Sequence, residues 1–418
     1  MNLAHKIELN LTTEQRIYCA KAVGTARFAY NWGLARYQES YQTWKEWKDK
    51  PDRNTSLDKH YYPPSASELR KQLNSIKRDE FPWMMDVTKY ATQTALIQLG
   101  VAFQRFFKGT SKFPRFKKKY HRDSFYIGND QFKVSADETS IKLPNLKSWI
   151  RLKERPRFAG DISSATISRK ADKWYVSISY ELPDYEPDEV KRENQSFAGI
   201  DLGLTTFATL NSETESVKYY HLKPYRQLLG RIKKLNKSLS RKVKGSNNYY
   251  KAQAKLAKLH MRVANIRLDF LHKLSTDIIK RYDIIGIENL SIKNMTRNHK
   301  LALSILDCGW YEFRRQLEYK AQLHGKTIVV AHKFFPSSKL CSDCGVKNKH
   351  LKLGVSEWTC QHCGSVHDRD DNAGINLRKL AVQFGRQDNQ PVDDQYWKSV
   401  KDQTTYLIDE AGNKRDQV

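Results

Sequence analysis

The chain has 418 residues, and 73 Lys and Arg against 46 Asp and Glu give it a formal net charge of +27. At roughly 150 residues per domain, that length predicts about three units. The charge excess points to a polyanionic partner, with nucleic acid ahead of an anionic membrane surface. No run of 18 apolar residues occurs, which excludes a transmembrane helix. The opening MNLAHKIELNLTTEQ lacks the basic segment, apolar core and cleavage site of a secretory signal. The expected location is the cytoplasm, at the nucleoid when bound to DNA.

An opening strand is predicted over His5–Leu9, and Thr12 with Gln15 forms a capping-box signature that starts a helix. Helical spacing runs from Ile17 to Tyr41 through Val23, Phe28, Trp32 and Leu34. A polar stretch between Pro51 and Pro64 breaks it. Ser65 and Glu68 open the next helix, and another follows Asp86 with Leu96, Leu99, Phe103 and Phe106 on its apolar stripe. From Lys112 to Pro183, prolines punctuate short alternating runs such as Trp174, Val176, Ile178 and Tyr180, the period of strands in a small barrel or sandwich. The opening of this segment, Lys112 to Tyr120, packs five cations around three aromatics, a combination suited to phosphates and unpaired bases. Residues 184–194 are acidic and read as a linker.

Between His221 and Arg281 stand 17 Lys and Arg and only two acids, Asp269 and Asp277. Leu256, Leu259, Val263, Ile266, Phe270 and Leu274 recur at helical spacing, which predicts a hairpin of helices turning at Gly245–Asn248, with one apolar seam and cationic outer faces. Such faces suit a nucleic-acid backbone. A polar, mobile tail is predicted over 386–418.

Three acids stand out. Asp201 ends the apolar run Phe197-Ala-Gly-Ile, and Glu288 ends the similar run Asp283-Ile-Ile-Gly-Ile. A third group, Asp368-Arg-Asp-Asp371, opens a helical segment. Crowded carboxylates repel unless cations sit among them, and hard oxygen ligands suit Mg²⁺. Two such ions activate a water and stabilise the leaving oxygen of a phosphodiester. The competing reading makes each acid a surface cap. Cys341-x-x-Cys344 and Cys360-x-x-Cys363, 15 residues apart, have zinc-ribbon spacing. Four thiolates close a tetrahedral Zn²⁺ shell, so the expected role is structural. Cys19 and Cys308 are expected in the core. His362 and His367 read as neighbours of the cluster or nucleic-acid contacts, not ligands.

The ordered set GIDLG, IIGIENL, FPSSKLCSDCG, WTCQHCG and HDRDDNAGIN resembles the TnpB family, transposon-encoded relatives of type V CRISPR effectors. ARFAYN, KFPRFKKK and RLDFLHKLS fit as well, so the resemblance spans nearly the whole chain. It implies an α/β multidomain protein with an RNase H-like (RuvC) nuclease core over 196–333 and 364–385 and a zinc ribbon inserted over 334–363. It also implies a β-barrel wedge domain over 1–9 and 113–185, interrupted by a helical recognition domain over 10–112. Matched position by position, the family's catalytic, magnesium-binding acids fall on Asp201, Glu288 and Asp370, Asp370 standing two residues before Asn372-Ala373. The zinc ligands fall on Cys341, Cys344, Cys360 and Cys363. Gly374 departs from the Ala usual in the family.

The resemblance further implies a metal-dependent, RNA-guided DNA endonuclease that binds a guide RNA encoded by the transposon end, reads a short target-adjacent motif and cuts both strands of double-stranded DNA. The chain is expected to act as a monomer on one RNA, with no membrane partner. Candidate phosphate contacts are Lys117, Lys118, Lys119, Lys233, Lys234, Arg241 and Lys242. Alternatives are an RNA-guided regulator without cleavage and an unguided junction resolvase. The complete acid trio argues against the first, and the domains before residue 183 argue against the second.

Overall fold

A computed structural model describes residues 2–51, 62–119, 122–158, 160–182, 195–352 and 354–386. The predicted linker, most of the Pro51–Pro64 stretch and the tail after 386 lie outside these residues. The chain divides into two compact units, Met1–Tyr185 and Glu186–Val418.

In the first unit, strand β1 (Asn2–Asn10) leads into helix α1 (Thr13–Lys48). Thr12 and Gln15 form the reciprocal capping box, and Gln15 also donates to the Trp149 carbonyl at 3.0 Å. Helix α2 (Ala66–Ile76) opens on the Ser65–Glu68 box, and α3 (Tyr90–Phe107) packs on α1. Six further strands follow: β2 (Ser124–Gly128), β3 (Lys133–Val134), β4 (Ser140–Lys142), β5 (Ile150–Leu152), β6 (Asp161–Lys170) and β7 (Lys173–Glu181). With β1 they form one sheet in the order β2-β6-β7-β1-β5-β4-β3. Where the sequence predicts a barrel, β2 and β3 remain as edges and the sheet is a half-barrel. Its β3, β4 and β5 have two or three residues each, too short to carry a closing ladder.

The second unit centres on a five-stranded sheet ordered β10-β9-β8-β11-β12. Strands β8 (Phe197–Leu202), β9 (Thr206–Asn211) and β10 (Ser216–Tyr220) form an antiparallel meander. Strands β11 (Ile284–Ile287) and β12 (Thr327–Val330) continue the sheet parallel to β8. Helices α4 (Pro224–Ser240) and α5 (Asn247–Arg281) link β10 to β11; α6 (Ile292–Met295), α7 (His299–Cys308) and α8 (Trp310–Leu323) link β11 to β12. The hairpin predicted between His221 and Arg281 is thus α4 and α5, joined by 241–246, with Gly245 at φ +91°. Its seam is Ile232, Leu259 and Val263. The later half of α5 instead packs Leu271, Leu274 and Ile278 beneath the sheet, with Phe313 and Leu317 of α8.

The other face of that sheet carries α9 (Arg369–Arg386), whose Leu377, Leu380 and Ala381 pack on Ile284 and Val329. Between β12 and α9 lie two cysteine turns and a small sheet of β13 (Glu357–Thr359) and β14 (Val366–Asp368). Strand β14 begins three residues after the predicted ribbon boundary at 363 and leads straight into α9.

Candidate active site and cysteine cluster

Register brings the first two acids together. Ile200 of β8 pairs with Ile287 of β11, so Asp201 and Glu288 stand side by side at neighbouring strand ends. Strand alternation places Gly199 and Asp201 on one face, and likewise Gly286 and Glu288. That face belongs to α9. A Cβ on Gly199 would meet the Gly374 carbonyl oxygen at 2.1 Å, and one on Gly286 would meet that of Leu377 at 2.1 Å. The paired glycines therefore let α9 lie flush on the sheet, and its first turn brings Asp370 to the two strand-end acids.

The acids around Asp370 are already engaged. Asp368 accepts the backbone N–H groups of Asp370 and Asp371 at 2.9 and 3.0 Å, and pairs with Lys218 at 2.8 Å. Asp371 accepts the Ser216 hydroxyl at 2.6 Å and lies 3.5 Å from Lys218. Among the described residues, the Asp370 carboxylate has neither a hydrogen bond nor an ion pair. The trio interacts strongly. Burial, reinforced by the charges of Glu288 and Asp370, holds the Asp201 carboxyl well above the usual carboxylate range. Burial also raises Glu288, against the pull of hydrogen bonds from Ser337 and Asp201. Asp370 is raised by burial and by Asp368. Arg369 opposes all three shifts without offsetting them.

Such a set of oxygen donors, with Asp201 buried and Glu288 and Asp370 half-buried and all three carboxyls raised, fits hard divalent cations. A cavity of about 250 Å³, lined by Glu288, Trp310, Tyr311 and Arg314, opens beside it. The Ser337 hydroxyl donates to Glu288 Oε1 at 2.5 Å. Neither Ser337 nor the glycine pair is singled out by the sequence reading, although the shared tripeptides Gly199-Ile-Asp and Gly286-Ile-Glu carry the glycine signal.

The cysteines Cys341, Cys344, Cys360 and Cys363 bring their sulfurs within 4.8 Å of one another. Two Sγ–Sγ separations are 3.6 Å, close to the ~3.8 Å edge of a tetrahedron with Zn–S bonds of about 2.3 Å. Each CxxC forms a tight turn in which the following glycine, Gly345 or Gly364, adopts positive φ and donates its N–H to the first cysteine's carbonyl. The cluster fits zinc. His367 is buried with Nε2 3.0 Å from Cys341 Sγ, while His362 is exposed. Cys19 and Cys308 are buried in the cores.

The candidate phosphate contacts divide. Lys118, Lys119, Lys233, Lys234, Arg241 and Lys242 are exposed. Lys117, also exposed as a residue, has its ammonium engaged 4.0 Å over the Tyr30 ring and 3.2 Å from Gln98 Oε1, and desolvation lowers its pKa.

Comparison with known proteins decides the family. Residues 177–299 match the OrfB_IS605 family, described as "Probable transposase", and residues 310–377 match the Cas12f1-like TNB domain. A Streptomyces pristinaespiralis protein named "Putative RNA-guided DNA endonuclease" is 37% identical over 313 residues, covering 72% of this chain and 73% of the relative. The Escherichia coli K12 protein "Putative RNA-guided DNA endonuclease InsQ" is 31% identical, covering 90% and 91%. The chain belongs to the TnpB family. A solved Cas12f1-sgRNA-target DNA complex shares the fold with this TnpB chain at a TM-score of 0.54 and 14% identity, covering 87% of it and 83% of that chain. Residues 1–46 match a family segment described as a helix-turn-helix domain. In this TnpB chain, however, the described part of that segment is a strand and one continuous helix, with no second helix after a turn. Among the described residues no helix is long and apolar enough to cross a membrane.

Proposed function

We propose that this chain is an RNA-guided, Mg²⁺-dependent DNA endonuclease that hydrolyses phosphodiester bonds in both strands of a double-stranded target. The observation that carries the reading is the trio Asp201, Glu288 and Asp370, gathered at one sheet end with Asp201 buried and the other two half-buried, their crowded charge only partly offset by Arg369 and Lys218, in a chain of net charge +27. Relatives named as RNA-guided DNA endonucleases support it. The antiparallel meander continued by two parallel strands supports an RNase H-like core of RuvC type.

Magnesium at this site, two ions in the full reading, would supply the charge that activates a water and stabilises the leaving 3′ oxygen. Asp201 and Glu288 would hold such ions from adjacent strand ends, and Asp370, on the helix, would join them and help position the attacking water. Cys341, Cys344, Cys360 and Cys363 hold a structural zinc with no open position. In domain terms, 1–9 and 113–185 form the wedge, 10–112 the recognition domain, 196–333 and 364–385 the nuclease, 334–363 the ribbon and 386–418 a tail. One chain carries one guide RNA, encoded by the transposon end, and works in the cytoplasm. Base pairing reads the target, while the protein reads a short adjacent motif and holds the heteroduplex by its backbone. Exposed cations such as Lys118, Lys233, Lys234 and Lys242 serve that grip.

The test is to express the protein with the DNA flanking its gene, sequence the RNA that copurifies, and challenge the complex with a plasmid library matching that RNA's 3′ end. The expected result is cutting that needs Mg²⁺, the RNA and one adjacent motif, and that Asp201→Ala abolishes while RNA-guided binding persists. Stable guided binding without cutting would make the protein a regulator. Absence of RNA would leave an unguided nuclease.

A further inference from the structure

We propose that Ser337 is a positioning residue for Glu288, and that Asn372 and Asn376 lock it in place, tying the acid site to the first cysteine turn. The proposal rests on the nuclease reading above. Glu288 follows the last residue of β11, and its side chain has more torsional freedom than the shorter acids. The Ser337 hydroxyl, itself buried, binds Oε1 at 2.5 Å and fixes the orientation of that carboxylate. One bound hydroxyl occupies only part of a carboxylate's acceptor capacity, so Glu288 keeps lone pairs for a metal ion.

A serine on a connecting segment orients nothing unless the segment is held. Here Asn376 Nδ2 donates to the carbonyls of Ser337 and Leu340 at 2.8 and 2.7 Å, and Asn372 Nδ2 donates to the same two at 3.3 and 2.8 Å. Both asparagines are buried, and they stand one turn apart on α9, the helix whose first turn carries Asp370. Glu288 and Asp370 are therefore oriented from one rigid element, although 82 positions separate them in the chain. Asn372 Oδ1 also accepts the Ser342 N–H at 2.8 Å, and Lys379 donates to the Ser342 carbonyl. Ser342 directly follows Cys341, so the order of the cysteine turn reaches Ser337 through a single side chain.

The test compares wild type, Ser337→Ala, Ser337→Thr, Asn376→Ala and Asp201→Ala as RNA-loaded complexes. Guided cleavage is measured across a Mg²⁺ titration, and Mn²⁺ affinity is read by electron paramagnetic resonance. Ser337→Ala should raise the Mg²⁺ half-saturation and weaken Mn²⁺ binding by about tenfold, the scale on which outer partners of metal ligands act. Guide and target binding should be unchanged, Thr should restore wild-type values, and Asn376→Ala should shift both readouts the same way by less. Ser337→Ala with an unshifted half-saturation and Mn²⁺ affinity would overturn the proposal, including the case where cleavage falls equally at every Mg²⁺ level. Failure of the nuclease reading is separate: it shows as a wild-type complex that does not cut, or an Asp201→Ala complex that does.

Discussion

The cysteine cluster and the carboxylate trio both crowd groups that repel when ionised, but the chain builds them differently. Cys341 and Cys363 lie 22 positions apart, and each pair is set by one tight turn closed by a glycine. Asp201 and Asp370 lie 169 positions apart. They meet only because β8 and β11 pair in one register and a glycine on each strand admits the backbone of α9. Each turn of the first cluster is built locally, with α9 bracing only the first through Asn372 and Lys379; the second cluster needs the whole sheet and its covering helix. Perturbing long-range packing should therefore damage the acids while sparing the cysteines.

Gly286→Ala puts a methyl where the Leu377 carbonyl oxygen lies 2.1 Å away. Overpacking against backbone is expected to cost about 3 kcal/mol or more and to abolish cleavage, with zinc content intact by elemental analysis. A variant that cuts normally would break the comparison. Asp307→Ala is the control for a buried acid that is not short of partners. Asp307 accepts the N–H groups of Tyr225 and Arg226, pairs with Arg267 at 3.0 Å, and so caps α4. Removing it should cost about 3 kcal/mol, seen in denaturant unfolding, without changing the Mg²⁺ half-saturation of the folded fraction. Cys360→Ser should remove the single zinc equivalent and lower the melting temperature by a few degrees, a smaller global loss because the cluster is local.

The smallest effect concerns Lys320, buried on α8, where its ammonium donates to the His272 carbonyl and to the Ser275 and Thr276 hydroxyls. Desolvation lowers its pKa to about 8. Between that value and 10.5 the unfolded chain binds more protons, so stability should rise with pH by up to about 1 kcal/mol per unit. Melting curves at pH 8 and 9.5 should show that rise in wild type and a flatter response in Lys320→Met; parallel curves would contradict it.

The same contrast explains what could be read beforehand. Cysteine spacing, the two capping boxes and the apolar runs ending at Asp201 and Glu288 are local signals. Ser337 carries no such signal, and the one-turn spacing of Asn372 and Asn376 gives them a common helix face but not their partners, which come from elsewhere in the chain. Lys117 reads like its neighbours, and only the fold shows its ammonium engaged by Tyr30 and Gln98. The open edge of the half-barrel depends on strands of two or three residues, too short for alternation to register.

The order in which the acids occur along the chain matters while the protein is being made. At 5–20 residues per second a ribosome needs roughly 4 to 16 s to pass from Glu288 to Asp370. Throughout that interval the first unit and most of the central sheet have already been synthesised, but the helix that completes the cluster has not. A nascent chain can therefore fold its first unit before the acid site can close.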